Sequence, residues 1–441
     1  MRLSRAKAGS ALPRDVWLIA LARAVNQLGA FSLAFLTILL CRVLGASLPA
    51  AGLVAAMFGL ATIPSRLLGA RLVSRLGARR TILLGLLGCA AAQLGIATAP
   101  GLPAAAAWAL LLGLAFELYE PPSQAMIAVA VPPGDRAAAY ALLTTALAVG
   151  NTGAGLVAAA VGQSSLRWLF VVDAASCLAC ALIVDRWLPG GRADPDRADP
   201  ARADLARADL ARADPGPSTR ADGGAARCQP SPWRDRSLLA MTAAGTVFAL
   251  IYMLLLVALP LSLAAHGINP ASSGLLMAVA TATLVLVRPL LRTAAAARLP
   301  GPAAAGAGFC LMAAGMAGYA AGRSLPAMLA PTAAWSIGNL LLTGRAFAVV
   351  TSLAPDGGTA RYLAVYGLSW GVATVAAPVL ATQVISSLGP ADLWLGCAAL
   401  SAAMAVVQPW LLHRLERAPQ RGVVSREPLR EALAGADTGS G

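Results

Sequence analysis

Five ionisable side chains, Arg23, Glu117, Glu120, Asp173 and Arg345, lie inside stretches that are otherwise apolar enough to cross a bilayer. A charge near the bilayer centre costs about 2.5–3.5 kcal/mol, so each of these residues is a functional candidate by default. Glu117 and Glu120 stand about one helical turn apart and, with Arg23, are the candidates for proton chemistry. A carboxylate whose charge is favoured by a nearby cation and disfavoured when its surroundings dry can bind and release a proton. The same residues also read as a static ion pair fastening two helices. Asp173 falls early in its apolar run and reads as interfacial; Arg345 could meet an anionic substrate, snorkel or pair within its own half. No grouping of His, Cys or paired Asp has the spacing for a metal site or an activated nucleophile, and no Gly-x-x-x-x-Gly-Lys loop is present. No metal, cofactor, direct use of ATP or enzymatic activity is therefore expected.

The elements that must position these residues follow from composition. Of 441 residues, 58% are hydrophobic and 12% charged, with a mean hydropathy of +0.70. So little charge cannot cover a water-soluble domain of this size, which makes the chain a polytopic membrane protein in contact with lipid. The net charge of +14 sits in turns and tails between apolar runs, the pattern of positive loops facing the cytoplasm rather than of nucleic-acid binding. Cys177-x-x-Cys180 has redox spacing but lies inside an apolar run, where small-residue packing is the better reading.

Six apolar runs near 14–40, 49–69, 79–99, 103–130, 137–162 and 166–188 predict six helices, and six more near 238–264, 271–292, 302–321, 326–353, 361–388 and 391–412 predict another six. The first run is too long for a signal peptide and contains Arg23, Asn26 and Gln27, so it reads as an uncleaved helix. Arginines gather at alternate turns, which places both termini in the cytoplasm of a cell whose inner (plasma) membrane holds the protein. Trp17, Trp168, Trp187, Trp394 and Trp410 lie near helix ends and read as an interfacial belt. Pro121-Pro122, directly after Glu120, removes two amide donors and should kink the fourth helix.

Between 189 and 236 hydrophobicity collapses into five tandem pentapeptides, Gly191–Pro195 through Ala211–Pro215, each ending Arg-Ala-Asp-Pro or Arg-Ala-Asp-Leu. Their charges cancel and nothing apolar remains to pack, so this segment is expected to be a disordered cytoplasmic linker. The expected plan is a six-helix bundle over 1–188, the linker over 189–236, a second six-helix bundle over 237–412 and a cytoplasmic tail over 413–441.

Two further features specify a family. The stretch Gly69-Ala-Arg-Leu-Val-Ser-Arg-Leu-Gly-Ala-Arg-Arg80 makes a basic turn between the second and third apolar runs. A shift of about 222 positions also lays Glu117 on Asn339, Pro133 on Pro355 and Tyr140 on Tyr362. This resembles the major facilitator superfamily, whose loop between helices 2 and 3 reads G-x-L-x-D-R-x-G-R-R. Leu72, Arg75, Gly77, Arg79 and Arg80 match that gating loop, whereas Ser74 replaces its aspartate. Gly113 through Arg136, together with Gly338-Asn339-Leu340 and Tyr366-Gly367-Leu368-Ser369-Trp370-Gly371, resembles twelve-helix drug:proton antiporters. The arginine that many of these carry early in helix 4 would fall near Ala109 and is absent, and their Gly-Pro step in helix 5 is only echoed by Gly150, Gly153 and Gly155.

The resemblance implies an all-α membrane protein with 12 transmembrane helices in two pseudo-symmetric six-helix bundles, working as a monomer. It puts helices 1, 4, 7 and 10 around a central cavity and so sets Arg23 beside Glu117 or Glu120. At about 1.5 Å per residue, Arg23 lies roughly 12 Å and Glu120 roughly 15 Å from the cytoplasmic face. Asn26, Gln27, Asn151, Tyr252, Trp335, Asn339, Arg345 and Trp370 become substrate-cavity candidates. The implied activity is secondary transport, as proton-coupled export of small amphipathic or apolar compounds. Uptake of a sugar or carboxylate, and a non-transporting scaffold or sensor, are the alternative readings.

Overall fold

The structure is a computed structural model that describes residues 13–29, 32–119, 122–123, 126, 131, 136–187, 232–290, 300–355 and 359–417. The expected linker and most of the tail lie outside these residues, as does Glu120.

The first apolar run forms two helices rather than one, α1 (Arg14–Leu28) and α2 (Ser32–Arg42). The break falls at Gly29, whose N–H bonds the Asn26 carbonyl in a tight turn at 3.2 Å. Next come α3 (Leu48–Leu76), α4 (Ala78–Thr98), α5 (Leu102–Phe116), α6 (Arg136–Val161) and α7 (Leu166–Trp187). The second half contributes α8 (Arg236–Ala265), α9 (Ser273–Leu290), α10 (Gly301–Ala321), α11 (Leu329–Leu353), α12 (Thr359–Ser387) and α13 (Pro390–Arg417). Nine of the described helices are long and apolar enough to cross a membrane, and three shorter apolar helices over 16–28, 102–116 and 145–161 occupy the remaining predicted spans.

The basic stretch 69–80 is not the open loop that its composition suggests. Helix α3 continues to Leu76, and Gly77 alone separates it from α4. Leu, Val and Arg are good or tolerable helix formers, so nothing stops α3 before a glycine does. Gly77 has φ +81°, a conformation that a side chain at this position would strain. The fourth predicted helix is interrupted where the sequence predicts a kink, and residues 122–123 and 126 are helical again. Helix α5 stops at Phe116, just ahead of Pro121-Pro122.

The packing repeats itself in the two halves. In the first, α4 packs on α5 and α7, α1 on α6 and α7, and α3 on α5; in the second, α10 packs on α11 and α13, α8 on α12 and α13, and α9 on α11. Each of these five contacts of the first bundle is thus made again six spans later. The halves meet along two seams, α3 against α12 and α6 against α9. Small residues let the backbones approach there. A Cβ on Gly52 would sit 2.8 Å from the Pro378 carbonyl oxygen, and one on Gly155 would sit 2.3 Å from that of Gly274. These contacts lie toward the end opposite Gly77, where Arg42 also donates to the Ala264 carbonyl across the halves at 3.0 Å. Toward the Gly77 end, Gly367 and Gly371 of α12 have open space where a side chain would project.

Hydroxyl groups are mostly turned onto their own helices. Thr246, Thr281, Thr374 and Ser401 each donate to the carbonyl four residues earlier, at 2.8, 3.1, 2.8 and 2.7 Å. This satisfies them without a neighbouring helix.

Candidate functional site

Arg23 is buried, 7% exposed, and its guanidinium lies over the Tyr119 ring with Cζ 5.0 Å from the centroid. Tyr119 begins an edge-to-face chain, packing on Phe116 at 6.3 Å, and Phe116 on Phe58 at 5.6 Å. Arg23 is therefore held at the exit of α5 by a cation–π contact, a favourable arrangement away from water. This brings it to the residue adjacent to Glu120. Glu117 caps α5 and is half-buried, and its backbone N–H donates to Ser65 Oγ of α3 at 3.2 Å.

Gln27 and Asn151, proposed separately as cavity residues, form one pair: Gln27 Nε2 donates to Asn151 Oδ1 at 2.7 Å, joining α1 to α6. Asn26 turns the other way. Its Nδ2 donates to Cys177 Sγ at 3.3 Å, inside the first bundle.

That contact belongs to a polar cluster that the sequence reading did not assemble. Asp173 is 4% exposed, not interfacial. Gln93 Nε2 donates to its Oδ2, and the Cys177 thiol approaches its Oδ1 at 3.8 Å. Ser176 donates to the Asp173 carbonyl at 2.8 Å. A buried carboxylate with donors from two helices is paid for by those donors, and this one fastens α4 to α7. The available signal was Gln93, a lone amide within the third apolar run. Cys177 and Cys180 are free and buried in α7.

In the second half, the aromatic candidates converge. The Tyr252 ring lies 5.4 Å from Trp335 and 5.3 Å from Trp370, so α8, α11 and α12 contribute to one aromatic wall. Trp335 is 3% exposed, and its indole N–H has no hydrogen-bond partner among the described residues. Asn339 is half-buried one turn along α11. Phe248 extends the wall, edge-to-face with Trp370 at 6.1 Å and with Phe309 at 6.4 Å. Arg345 is not part of it; this residue lines a separate cavity between α8, α10, α11 and α13.

Around the Gly77 turn, Leu72 is half-buried and Arg75 and Arg80 are exposed. Arg79 pairs with Asp185 of α7 through Nη2–Oδ1 at 2.8 Å and also donates to the Asp185 carbonyl. The residue Ser74 occupies the last turns of α3. Of the tryptophans expected at the interface, Trp17, Trp168, Trp187 and Trp410 are exposed, each by more than half. Trp394 is not: it is 1% exposed, stacked on Tyr319 at 5.2 Å and bonded through its indole N–H to Ser262 Oγ at 3.0 Å.

Two six-helix bundles related by a six-span shift, meeting along paired seams, define a multi-pass transporter fold. Residues 19–263 match the Major Facilitator Superfamily, and the chain belongs to that family. It is 24% identical over 334 residues to the uncharacterized MFS-type transporter YhjO of Bacillus subtilis (strain 168), covering 72% of this chain and 73% of that protein. Among solved structures, it resembles a POT family transporter in complex with 5-aminolevulinic acid, with a TM-score of 0.71, 11% identity and coverage of 91% and 97% of the two chains. It also resembles the peptide transporter POT in complex with sulfate, with a TM-score of 0.70, 17% identity and coverage of 94% and 96%. At these identities the likeness is one of fold.

Proposed function

We propose that this transporter exports small amphipathic or apolar compounds by alternating access, coupled to protons entering through Glu120, with Glu117 as second carrier and Arg23 as the cation that tunes them. The observation that carries the substrate class is the wall of Tyr252, Trp335 and Trp370, with an indole N–H that has no hydrogen-bond partner among the described residues. Flat apolar faces with a single polar handle suit ligands of mixed character better than they suit sugars. The Gln27–Asn151 pair supplies adaptable amides on the other half. The seams, tight at one end and relaxed toward Gly77, fit the conformer that opens at the Gly77 face. In this reading that face is cytoplasmic, as are both termini, and the monomer sits in the inner membrane with 189–236 as a tether between its bundles.

The test is reconstitution in liposomes with an imposed pH gradient and a panel of amphipathic dyes, dipeptides, sugars and monocarboxylates. Proton-driven flux of the dyes, weakened at least severalfold by Trp370→Ala, supports the proposal. Flux of dipeptides alone, or of sugars alone, replaces it with uptake of that substrate. No flux of any class, with specific binding retained, favours the sensor reading.

A further inference from the structure

The second bundle contains a cavity of about 200 Å3 that borders the aromatic wall at Phe248 and Phe309 but is not lined by Tyr252, Trp335 or Trp370. Phe248 separates the two, facing Trp370 on one side and Phe309 on the other. The cavity walls are largely apolar, with Met241, Phe309, Leu342 and Val349 among them, and three polar side chains line it, Arg345, Gln408 and Tyr366 of α12. Gln408 is 7% exposed. Its Nε2 reaches only the Met241 sulfur, at 3.8 Å, and its Oε1 has no partner among the described residues. Arg345 Nη1 is likewise buried without a hydrogen-bond partner there.

The first bundle treats the corresponding place differently. There the ends of α4 and α7 are tied by the Arg79–Asp185 ion pair. In the second bundle the matching helices α10 and α13 bring Gly301 and Gln408 to the cavity instead. A glycine and a neutral amide leave room, and among the described residues no carboxylate lines the cavity beside Arg345. A buried guanidinium nitrogen and a buried amide oxygen that find no partner among the described residues are costly states that a ligand can relieve.

We infer that this cavity is a second binding site, distinct from the transport pathway, for a small amphipathic carboxylate. Its anionic oxygens would meet the Arg345 guanidinium, a neighbouring N–H or O–H of the ligand would meet Gln408, and its apolar body would pack on Phe309, Leu342 and Val349. The volume is below the roughly 300–1,000 Å3 of drug-sized pockets, which selects a compact ligand such as an arylalkanoate. A carboxylate is preferred to a phosphate because one guanidinium supplies one charge.

The experiment uses the full chain in lipid nanodiscs and measures binding of N-acetyl-phenylalanine and its uncharged amide by calorimetry. Expected is saturable binding of the acid and not the amide, weakened about tenfold or more by Arg345→Gln and abolished by Ala305→Phe, which fills the cavity from α10. Unfolding midpoints confirm that both variants fold, and Gln408→Leu provides a second variant that keeps the charge but removes the amide. Equal binding of acid and amide would overturn the inference, as would binding insensitive to both Arg345→Gln and Ala305→Phe. A phospholipid retained stoichiometrically by wild type and lost in Arg345→Gln would overturn it in favour of a lipid headgroup. Because neither Arg345→Gln nor Gln408→Leu alters the Tyr252, Trp335 and Trp370 rings, dye flux measured on these two variants separates failure of this site from failure of the transport proposal.

Discussion

Gly155 and Gly274 meet backbone to backbone across the seam between α6 and α9. A Cβ on the first would lie 2.3 Å from the carbonyl oxygen of the second, and a Cβ on the second 2.4 Å from that of the first. Neither position can carry a methyl group unless the helices part. Gly155→Ala and Gly274→Ala are therefore expected to disfavour the closed seam by about 1–3 kcal/mol. Spin-label distances between positions 163 and 265, one on each half at the sealed end, should lengthen in both variants. Unchanged distances with unchanged stability would show that the seam does not gate.

The proton proposal makes a separate demand. Glu120→Gln keeps size and hydrogen bonding but not charge, so it should bind substrate as wild type does and lose flux driven by a pH gradient by about tenfold or more. Downhill exchange should persist. Glu117 is three residues away in sequence, so the double variant belongs in the same series. Wild-type pH-driven flux in Glu120→Gln, Glu117→Gln and the pair would leave these carboxylates as structural links.

At the Gly77 face, the family resemblance assigns a clamping role to the aspartate that Ser74 replaces. Ser74→Asp is expected to restore charge at the end of α3 and shift the population toward closure of that face. Labels at the exposed positions 75 and 361 should move closer. A distance distribution identical to wild type would remove the clamp from the account.

Asp173 depends on donors from other side chains. Gln93→Leu removes one of them from a buried carboxylate and should lower stability by about 1–3 kcal/mol. Thermal unfolding in detergent reads this directly. Gln93→Asn, which keeps an amide on a shorter stem, should lose less, and equal losses from both would make the effect one of volume.

Much of the fold was legible because apolar run length and turn chemistry are local properties. The duplicated plan, the arginine-rich turn and a disturbance of the fourth run at Pro121-Pro122, expected as a kink, all follow from residues close in sequence. What escaped depends on which way a side chain faces. Position along the sixth run placed Asp173 near the surface, but its azimuth turns it into the bundle toward Gln93. Trp394 was misassigned to the interface for the same reason, being aimed inward at Ser262 and Tyr319. Gln27 and Asn151 were chosen singly, and no local pattern showed that they bond each other across 124 residues. Arg345 was recognised as a buried cation, whereas its cavity depends on Gly301 and Gln408, which carry no signal until α10 and α13 are packed.

The hydroxyls that bond back onto their own helices have a mechanical consequence. Thr246, Thr281 and Thr374 hold the same hydrogen bonds whether the two bundles are together or apart. When the bundles rock, these groups surrender no polar bond and acquire no exposed one. Friction at the seams then comes mainly from the fit of small side chains, a term almost indifferent to pH and salt. Under the proton-coupled proposal, the moving parts would thereby be separate from the titrating ones, and a proton would bias the direction of rocking without stiffening the hinge.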